Sequence, residues 1–371
     1  MKKKKILARL IELRKRDPFY DGGKILSSVC TQPSEISLEA YRIYADVNAL
    51  DTHVFPNTWV LESEVIKWFD TVLGGVGIAG YITSGGTEAN IQALWAAKKK
   101  YPDRKTILVP KSAHYSIEKA ADLLELSIEW VPLDEKYKAD VGFIEQMISD
   151  DTLAVVLTAG TSALGVVDPI MEVSGLCSDV FLHVDAAFGG MVLPFLNDSP
   201  RIDFGLENID SVTLDPHKMG CTPIPSGCIL FRDKSYMSNL VYDPSYLKSP
   251  FPSLIGSRSA GFIAAVWANL MFYDVEGYRR IVGECMENTR LLLSHIDELE
   301  GLSPVVEPEL NFVALTGEYI KEVHDMLVER GWRLLLDRDS DSFRVVVMPH
   351  VTADVVRAFV GGLRECVNSI R

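Results

Sequence analysis

Several features are scarce in this chain of 371 residues. No stretch reaches the roughly 18 uninterrupted apolar residues that a membrane span requires, which predicts a soluble protein without a membrane partner. Cationic residues are in deficit: 37 Lys and Arg stand against 51 Asp and Glu, a formal net charge of −14. That balance opposes non-specific contact with polyanions, so nucleic acid is not expected as a partner. The six cysteines (30, 177, 221, 228, 285 and 366) are scattered. Their closest pair, Cys221 and Cys228, lacks the short spacing of a zinc site or redox pair. No metal is expected, and reduced thiols fit a cytoplasmic location. Internal repeats, low-complexity tracts and long polar linkers are missing too. After the basic start Met1 to Lys5, the apolar Ile6, Leu7, Leu10, Ile11 and Leu13 are interrupted by Arg9, Glu12, Arg14, Lys15 and Arg16. No secretory segment tolerates this, and the spacing predicts an amphipathic helix.

What is present is an ordinary globular composition, 47% hydrophobic and 24% charged, in a chain longer than a single compact core usually fills. Short apolar runs begin at 106, 127, 152, 180 and 211 and alternate with helix-like stretches. Runs apolar on both faces suit strands covered by helices on both sides, so an α/β domain with a mostly parallel sheet is predicted. After Gly256 a long helical stretch from about Ala260 to His295 leads into apolar runs at 310 and 342, with a helix-like segment between them. A smaller α+β domain is expected there. The divisions read from this pattern are an N-terminal helical segment over 1–55, a large domain over 56–265 and a small C-terminal domain over 266–371.

Three segments carry chemistry. In Asp215-Pro216-His217-Lys218-Met219-Gly220, a lysine follows a strand-like run within apolar surroundings. Burial disfavours the ammonium form, so such an amine is expected to become neutral enough to condense with an aldehyde. Taken alone, a surface lysine fits the same residues. In His183-Val184-Asp185-Ala186-Ala187-Phe188-Gly189-Gly190, a carboxylate ends a very apolar strand and needs a cationic or hydrogen-bonding partner. A protonated pyridine nitrogen is one such partner, and a plain turn cap is the alternative. In Thr83-Ser84-Gly85-Gly86-Thr87-Glu88-Ala89-Asn90, small and hydroxyl residues open a helix. Its free backbone N–H groups and dipole suit a phosphate, provided that Glu88 points away.

In this order (phosphate loop, aspartate, lysine), and with His114 in Lys111-Ser112-Ala113-His114-Tyr115-Ser116, the segments resemble fold-type I pyridoxal 5′-phosphate (PLP) enzymes. The chain is similar over nearly its whole length to the group II amino-acid decarboxylases. Within them it looks most like the archaeal L-tyrosine/L-aspartate decarboxylases, through the three segments above and Arg344-Val345-Val346-Val347-Met348-Pro349-His350. The resemblance implies a fold-type I PLP-dependent transferase large domain with Lys218 as the Schiff-base lysine. It also implies Asp185 on the pyridine nitrogen, His114 stacked over the ring and Ala187 beneath it. Gly85, Gly86, Thr87, Thr161 and His217 are implied around the cofactor. Gly256-Ser257-Arg258 resembles the segment that reaches the phosphate of the other subunit, which implies a homodimer with composite sites and a cofactor contact from Ser257. Arg344 is a candidate for forking onto a substrate α-carboxylate, although a strand-edge arginine fits equally.

The implied reaction releases CO2 from an L-amino acid, giving tyramine for methanofuran or β-alanine for coenzyme A in archaeal relatives. A proton must then reach the α-carbon. Family members acting on aromatic amino acids use a tyrosine on a mobile loop after a segment like Asp243-Pro244-Ser245-Tyr246-Leu247-Lys248, but here no tyrosine follows it until Tyr273. Tyr246 is the first candidate acid, with His114 or Lys218 as substitutes; a packed aromatic is the plain alternative for Tyr246. Competing readings are L-glutamate decarboxylation, a carbon–carbon lyase resembling sphingosine phosphate lyase, an aminotransferase, and a catalytically silent PLP-binding protein.

Overall fold

The computed structural model describes residues 2–245, 248 and 251–370. Its centre is a sheet of β1 (Ala79–Thr83), β2 (Thr106–Pro110), β3 (Ser127–Val131), β4 (Thr152–Thr158), β5 (Phe181–Asp185), β6 (Ile209–Leu214) and β7 (Gly227–Phe231). The spatial order is β1-β7-β6-β5-β4-β2-β3. The five strands expected from the apolar runs are present and pair in parallel. Two strands, β1 and β7, were not foreseen, and β7 runs antiparallel to both β1 and β6. β1, Ala79-Gly80-Tyr81-Ile82-Thr83, has no plain apolar signature. β1 contains Gly80, where a Cβ would come within 2.2 Å of the Ile229 carbonyl oxygen, so the strand pairing itself requires glycine.

Around the sheet lie α1 (Lys2–Arg14), α2 (Glu35–Ile43), α3 (Pro56–Val72), α4 (Gly86–Lys100), α5 (Ser116–Leu124), α6 (Val141–Met147), α7 (Ile170–Ser174), α8 (Lys234–Ser238) and α9 (Ala260–Ile296). Strand β5 shows how the two faces divide. Phe181 packs with Ala89 and Ala93 of α4 and with Val156, whereas Leu182 and Val184 join Val155, Leu157 and Val266 of α9 on the other side. Alternate residues of a strand face opposite ways. His183 and Asp185 therefore share the α4 face with Phe181.

The second sheet is antiparallel, in the order β10-β11-β9-β8, formed by β8 (Leu302–Pro304), β9 (Phe312–Gly317), β10 (Leu336–Asp337) and β11 (Ser342–Val346). It packs with α10 (Ile320–Glu329) and α11 (Ala353–Ile370). Helix α9 belongs to both cores: Ile263, Val266 and Leu270 enter the first, Leu292 and Ile296 the second. Asp274 breaks it with φ 51° and ψ −168°, and its carboxylate accepts from the Gly277 N–H at 2.9 Å, restarting the helix as an N-cap would. Leu26 also sits in the second core, and its backbone bonds Arg333 and Val346. The segment after it crosses back, where the Ser34 N–H meets the Cys221 carbonyl at 3.0 Å. Helix α1 forms as expected, with Ile6, Leu7, Leu10, Ile11 and Leu13 exposed and no residue buried.

One buried ion pair ties α3 to the start of α9. Arg258 forks onto both oxygens of Glu62 at 2.7 to 3.1 Å, and Glu62 also accepts from the Ile82 N–H of β1 at 2.9 Å. Burial outweighs the attraction of Arg258 and lifts the Glu62 carboxyl above its ordinary value. The pair therefore fixes position more than it adds net stability. Glu62→Ala, which strands the buried guanidinium, is expected to lower the unfolding free energy by roughly 3–5 kcal/mol. The double change Glu62→Leu with Arg258→Met is expected to cost far less. Urea denaturation of both variants checks this, and equal losses would show that the pair itself is a main source of stability.

Candidate active site

The parallel strands bring their carboxyl ends to one edge of the sheet, where open α/β folds bind ligands. Thr158 of β4, Asp185 of β5 and Thr213 of β6 lie side by side there in register. One tier lower, Val156, His183 and Ser211 repeat the row. The loops leaving these ends carry Thr161, Ala187 and Asp215, and β1 runs through Ser84 and Gly85 into α4.

Asp185 has the partners that its burial demands. Its Oδ2 accepts from the Asn90 amide nitrogen at 2.8 Å, and its Oδ1 accepts from the Ala187 N–H at 3.1 Å. Asn90 reaches Asp185 because α4 lies over the face that His183 and Asp185 share. Its amide oxygen lies 2.9 Å from His183 Nε2, and its nitrogen lies 2.9 Å from Ser116 Oγ. Ser116 Oγ is 2.8 Å from His114 Nδ1, so the amide links the aspartate to the histidine expected over a bound ring. Burial lowers the His114 pKa against the opposing pull of Asp185 and Asp215, which keeps the imidazole neutral near pH 7.

Lys218 differs from its expectation in one respect. Burial does act to lower its pKa, but Asp215 and Asp185 outweigh it, and the amine is held above the ordinary lysine value. Its Nζ lies 3.1 Å from Asp215 Oδ2. The lysine is thus an ammonium paired with a carboxylate, not the neutral amine that desolvation alone would give. Cys30, on the N-terminal segment, lies close enough to feel both charges, and its thiol is raised to about 11 chiefly by burial. His217 Nδ1 lies 2.6 Å from the Ser226 carbonyl, so that nitrogen donates and the ring is held in place.

The helix start is shaped as a cradle. Gly85, at φ 125°, caps α4, and a Cβ on it would lie 3.8 Å from the His217 ring. A Cβ on Gly86 would meet Asp215 Oδ2 at 3.0 Å and Ala187 Cβ at 3.4 Å. Glu88 turns away, as a phosphate site requires, to accept from the Ser84 N–H at 2.7 Å and the Tyr81 hydroxyl at 3.3 Å. Asp215 Oδ1 and the hydroxyls of Thr158 and Thr213 are buried without a protein partner among the described residues. The two hydroxyls can donate to an acceptor, and with a half-buried amine and a glycine-lined helix start they fit a small polar ligand with an aldehyde and a phosphate.

Of the other residues expected here, Thr161 is buried, and its hydroxyl oxygen accepts from the Val166 N–H at 3.1 Å. Thr87 lies in the first turn of α4. Arg344 of β11 donates from Nη1 to the Ser162 carbonyl and from Nε to the Ser27 carbonyl at 3.3 Å, which sets it beside the Thr161 loop. Ser257 is exposed ahead of α9, and its neighbour Arg258 is committed to Glu62. Tyr246 lies outside the described residues. Asn90 and Asp215 stood inside the quoted motifs without an assigned role. The signal for Asn90 was the His-x-Asp spacing on a strand, which aims both side chains at one helix.

The Lys218 pair generates a test. Asp215 lies against its amine, and Asp185, Cys30 and His114 are near enough to act on its charge. A raised folded-state pKa means that the reactive neutral amine grows only as pH rises. Asp215→Asn is therefore expected to shift the pH profile for PLP uptake by cofactor-free protein to lower pH. The profile is read from the visible absorption of the bound cofactor. An unmoved profile would remove Asp215 as the group that governs the lysine.

Comparison with known proteins identifies the family. A family model described as the pyridoxal-dependent decarboxylase conserved domain matches residues 41–316. The chain is 41% identical over 368 residues to a probable L-tyrosine/L-aspartate decarboxylase of Methanocella arvoryzae, covering 98% of this chain and 97% of that one. It is 39% identical over 364 residues to a probable L-aspartate decarboxylase of Archaeoglobus fulgidus, covering 97% and 98%. Among solved structures, a sphingosine-1-phosphate lyase of Burkholderia pseudomallei superposes with a TM-score of 0.91 at 27% identity, over 99% of this chain and 91% of that one. The chain belongs to the pyridoxal-dependent decarboxylase family, and its cofactor is pyridoxal 5′-phosphate.

Proposed function

We propose that this amino-acid decarboxylase acts on L-tyrosine or L-aspartate, releasing CO2 and forming tyramine or β-alanine. The observation that carries the reading is the convergence of Lys218, Asp185 and His114 at the carboxyl edge of the sheet, with Arg344 beside the Thr161 loop. The curated relatives named above support the two substrates. When bound, PLP supplies an aldehyde that captures the substrate amine and a ring that accepts the electrons released as CO2 leaves. Lys218 is the residue that would hold the aldehyde, Asp185 the ring nitrogen, and the Gly85–Thr87 turn with His217 the phosphate. His114 and Ala187 would enclose the ring on its two faces.

Arg344 is proposed to orient the substrate. Its Nη1 and Nε are engaged by backbone carbonyls, which locks the guanidinium plane and leaves Nη2 for a carboxylate. Burial lowers its pKa against the pull of Asp337, so a carboxylate partner offsets part of the cost of that burial. Fixing the α-carboxylate fixes which bond to the α-carbon stands across the ring, and bond orientation selects decarboxylation. Tyr246 is the proposed acid for the α-carbon, with Lys218, held as an ammonium, as the substitute. The exposed Ser257 is proposed to serve the site of a second copy in a cytoplasmic homodimer, and the product to enter methanofuran or coenzyme A synthesis.

The likeness to the lyase favours a second reading, cleavage of a carbon–carbon bond with release of an aldehyde. One assay separates the two. Purified protein with PLP is offered L-tyrosine, L-aspartate and L-glutamate separately, and amine and CO2 are measured. Amine from tyrosine or aspartate that vanishes in Lys218→Ala is the expected result. Amine from glutamate alone would replace the substrate assignment, and aldehyde without CO2 would replace the reaction. In the same assay Arg344→Gln is expected to raise KM roughly 10- to 100-fold, the size of one lost charge-assisted hydrogen bond. An unchanged KM would remove Arg344 from the substrate.

A further inference from the structure

We propose that Asn90 is a positioning residue that couples two sides of the cofactor site, holding the Asp185 carboxylate and fixing His114 with its proton on Nε2. The inference rests on the reading of Asp185 and His114 as cofactor residues.

The argument follows each proton. A carboxylate only accepts, so the Asn90 nitrogen must face Asp185 Oδ2, at 2.8 Å. Its second N–H points to Ser116 Oγ at 2.9 Å. The amide oxygen therefore faces His183 Nε2 at 2.9 Å, and that nitrogen must donate. His183 is fully buried, and burial pushes its pKa down to about 4, so the ring is neutral and has one proton to give. Its Nδ1 then accepts from the Ser211 hydroxyl at 2.8 Å. On the other branch Ser116, having accepted from Asn90, donates its own proton to His114 Nδ1 at 2.8 Å. The Ser116 backbone N–H also aims at that nitrogen, at 3.3 Å. With two donors pointing at it, Nδ1 carries no proton, and the neutral His114 ring carries its proton on Nε2.

Both ends of the relay are fixed, one by a carboxylate and the other by a backbone N–H, so the intervening hydroxyl and amide cannot reverse. Asn90, Ser116, His183 and Ser211 are all buried, which keeps water from supplying an alternative partner. His114 consequently presents an N–H at Nε2. It can give a hydrogen bond to what lies there and cannot accept one.

The test uses cofactor-free protein labelled with 15N-histidine, with signals assigned through His114→Gln and His183→Gln. Long-range 1H–15N spectra are expected to show both rings as Nε2–H tautomers. In Asn90→Asp the new carboxyl accepts from the Ser116 hydroxyl, which frees Ser116 Oγ to accept from His114. His114 is then expected to populate the Nδ1–H form. Should that variant fail to fold, Ser116→Ala is expected to move the His114 Nδ1 signal toward that of a free lone pair while leaving His183 unchanged. With PLP bound, Asn90→Ala is expected to lower kcat roughly 10- to 100-fold, as loss of one hydrogen bond to a buried charged group would, with KM little moved. An Nδ1–H form of His114 in the unaltered protein, or histidine spectra unmoved by these substitutions, would overturn the proposal. The spectra need neither cofactor nor substrate, so they stand apart from the outcome of the substrate assay.

Discussion

The carboxylate of Asp185 sets the requirements that the rest of the site meets. It ends a strand whose other residues are buried in apolar packing or in hydrogen bonds within the sheet, and an unpartnered charge there would cost several kcal/mol. Helix α4 meets that need with the amide of Asn90, and the Ala187 N–H, just beyond the strand, meets the rest. Because α4 lies where its amide can serve Asp185, its first turn also lies beside Ala187 and Asp215. There a Cβ at position 86 would crowd Asp215 Oδ2 at 3.0 Å. The proposed phosphate cradle and the proposed ring-nitrogen partner are thus positioned by one helix, and their separation is set by the rigid length between Gly86 and Asn90.

Charge balance around Lys218 follows the same logic. A lone buried ammonium would shed its proton, and two carboxylates prevent it, so the site holds a paired charge. A bound cofactor with an anionic phosphate and a cationic ring nitrogen would enter a region already holding both signs, near partners suited to each. Asp215 carries a further consequence, since one of its oxygens is spent on the lysine and the other is buried without a partner among the described residues. Such an atom is costly in a finished core and useful in a site that a ligand completes.

Much of this was legible in the sequence because strands buried on both faces leave continuous apolar runs. Five parallel strands, the long helix α9 and the loop-to-helix start at Gly85 could be read in that way. Strands β1 and β7 could not. Both pair antiparallel within an otherwise parallel sheet, and no local preference reports that pairing. Chemistry divided similarly. Lys218, Asp185 and His114 stand in recognisable motifs, whereas the protonation of Lys218 depends on where Asp215 points, and no periodicity reports that. The role of Asn90 required knowing that α4 lies over the His183 face. Tyr246 had a motif but falls outside the described residues, so the sequence argument for it stands alone.

The two cores are joined by more than helix α9, and that bears on how the site is closed. The N-terminal segment leaves the second core at Leu26, passes Cys30 beside the Lys218 charges and is pinned again where Ser34 meets Cys221 and Asn269. Along the way Thr31 bonds His350, whose other ring nitrogen meets the Ile25 carbonyl. Arg344 completes the bracket from β11, reaching Ser27 on this segment and Ser162 on the loop after β4. A substrate group held by Arg344 would therefore be referenced to both sheets at once. Since the angle of one bond to the α-carbon decides the reaction, a cationic anchor braced against both cores is worth more than the same cation on a free loop, where rotation would leave that angle unset.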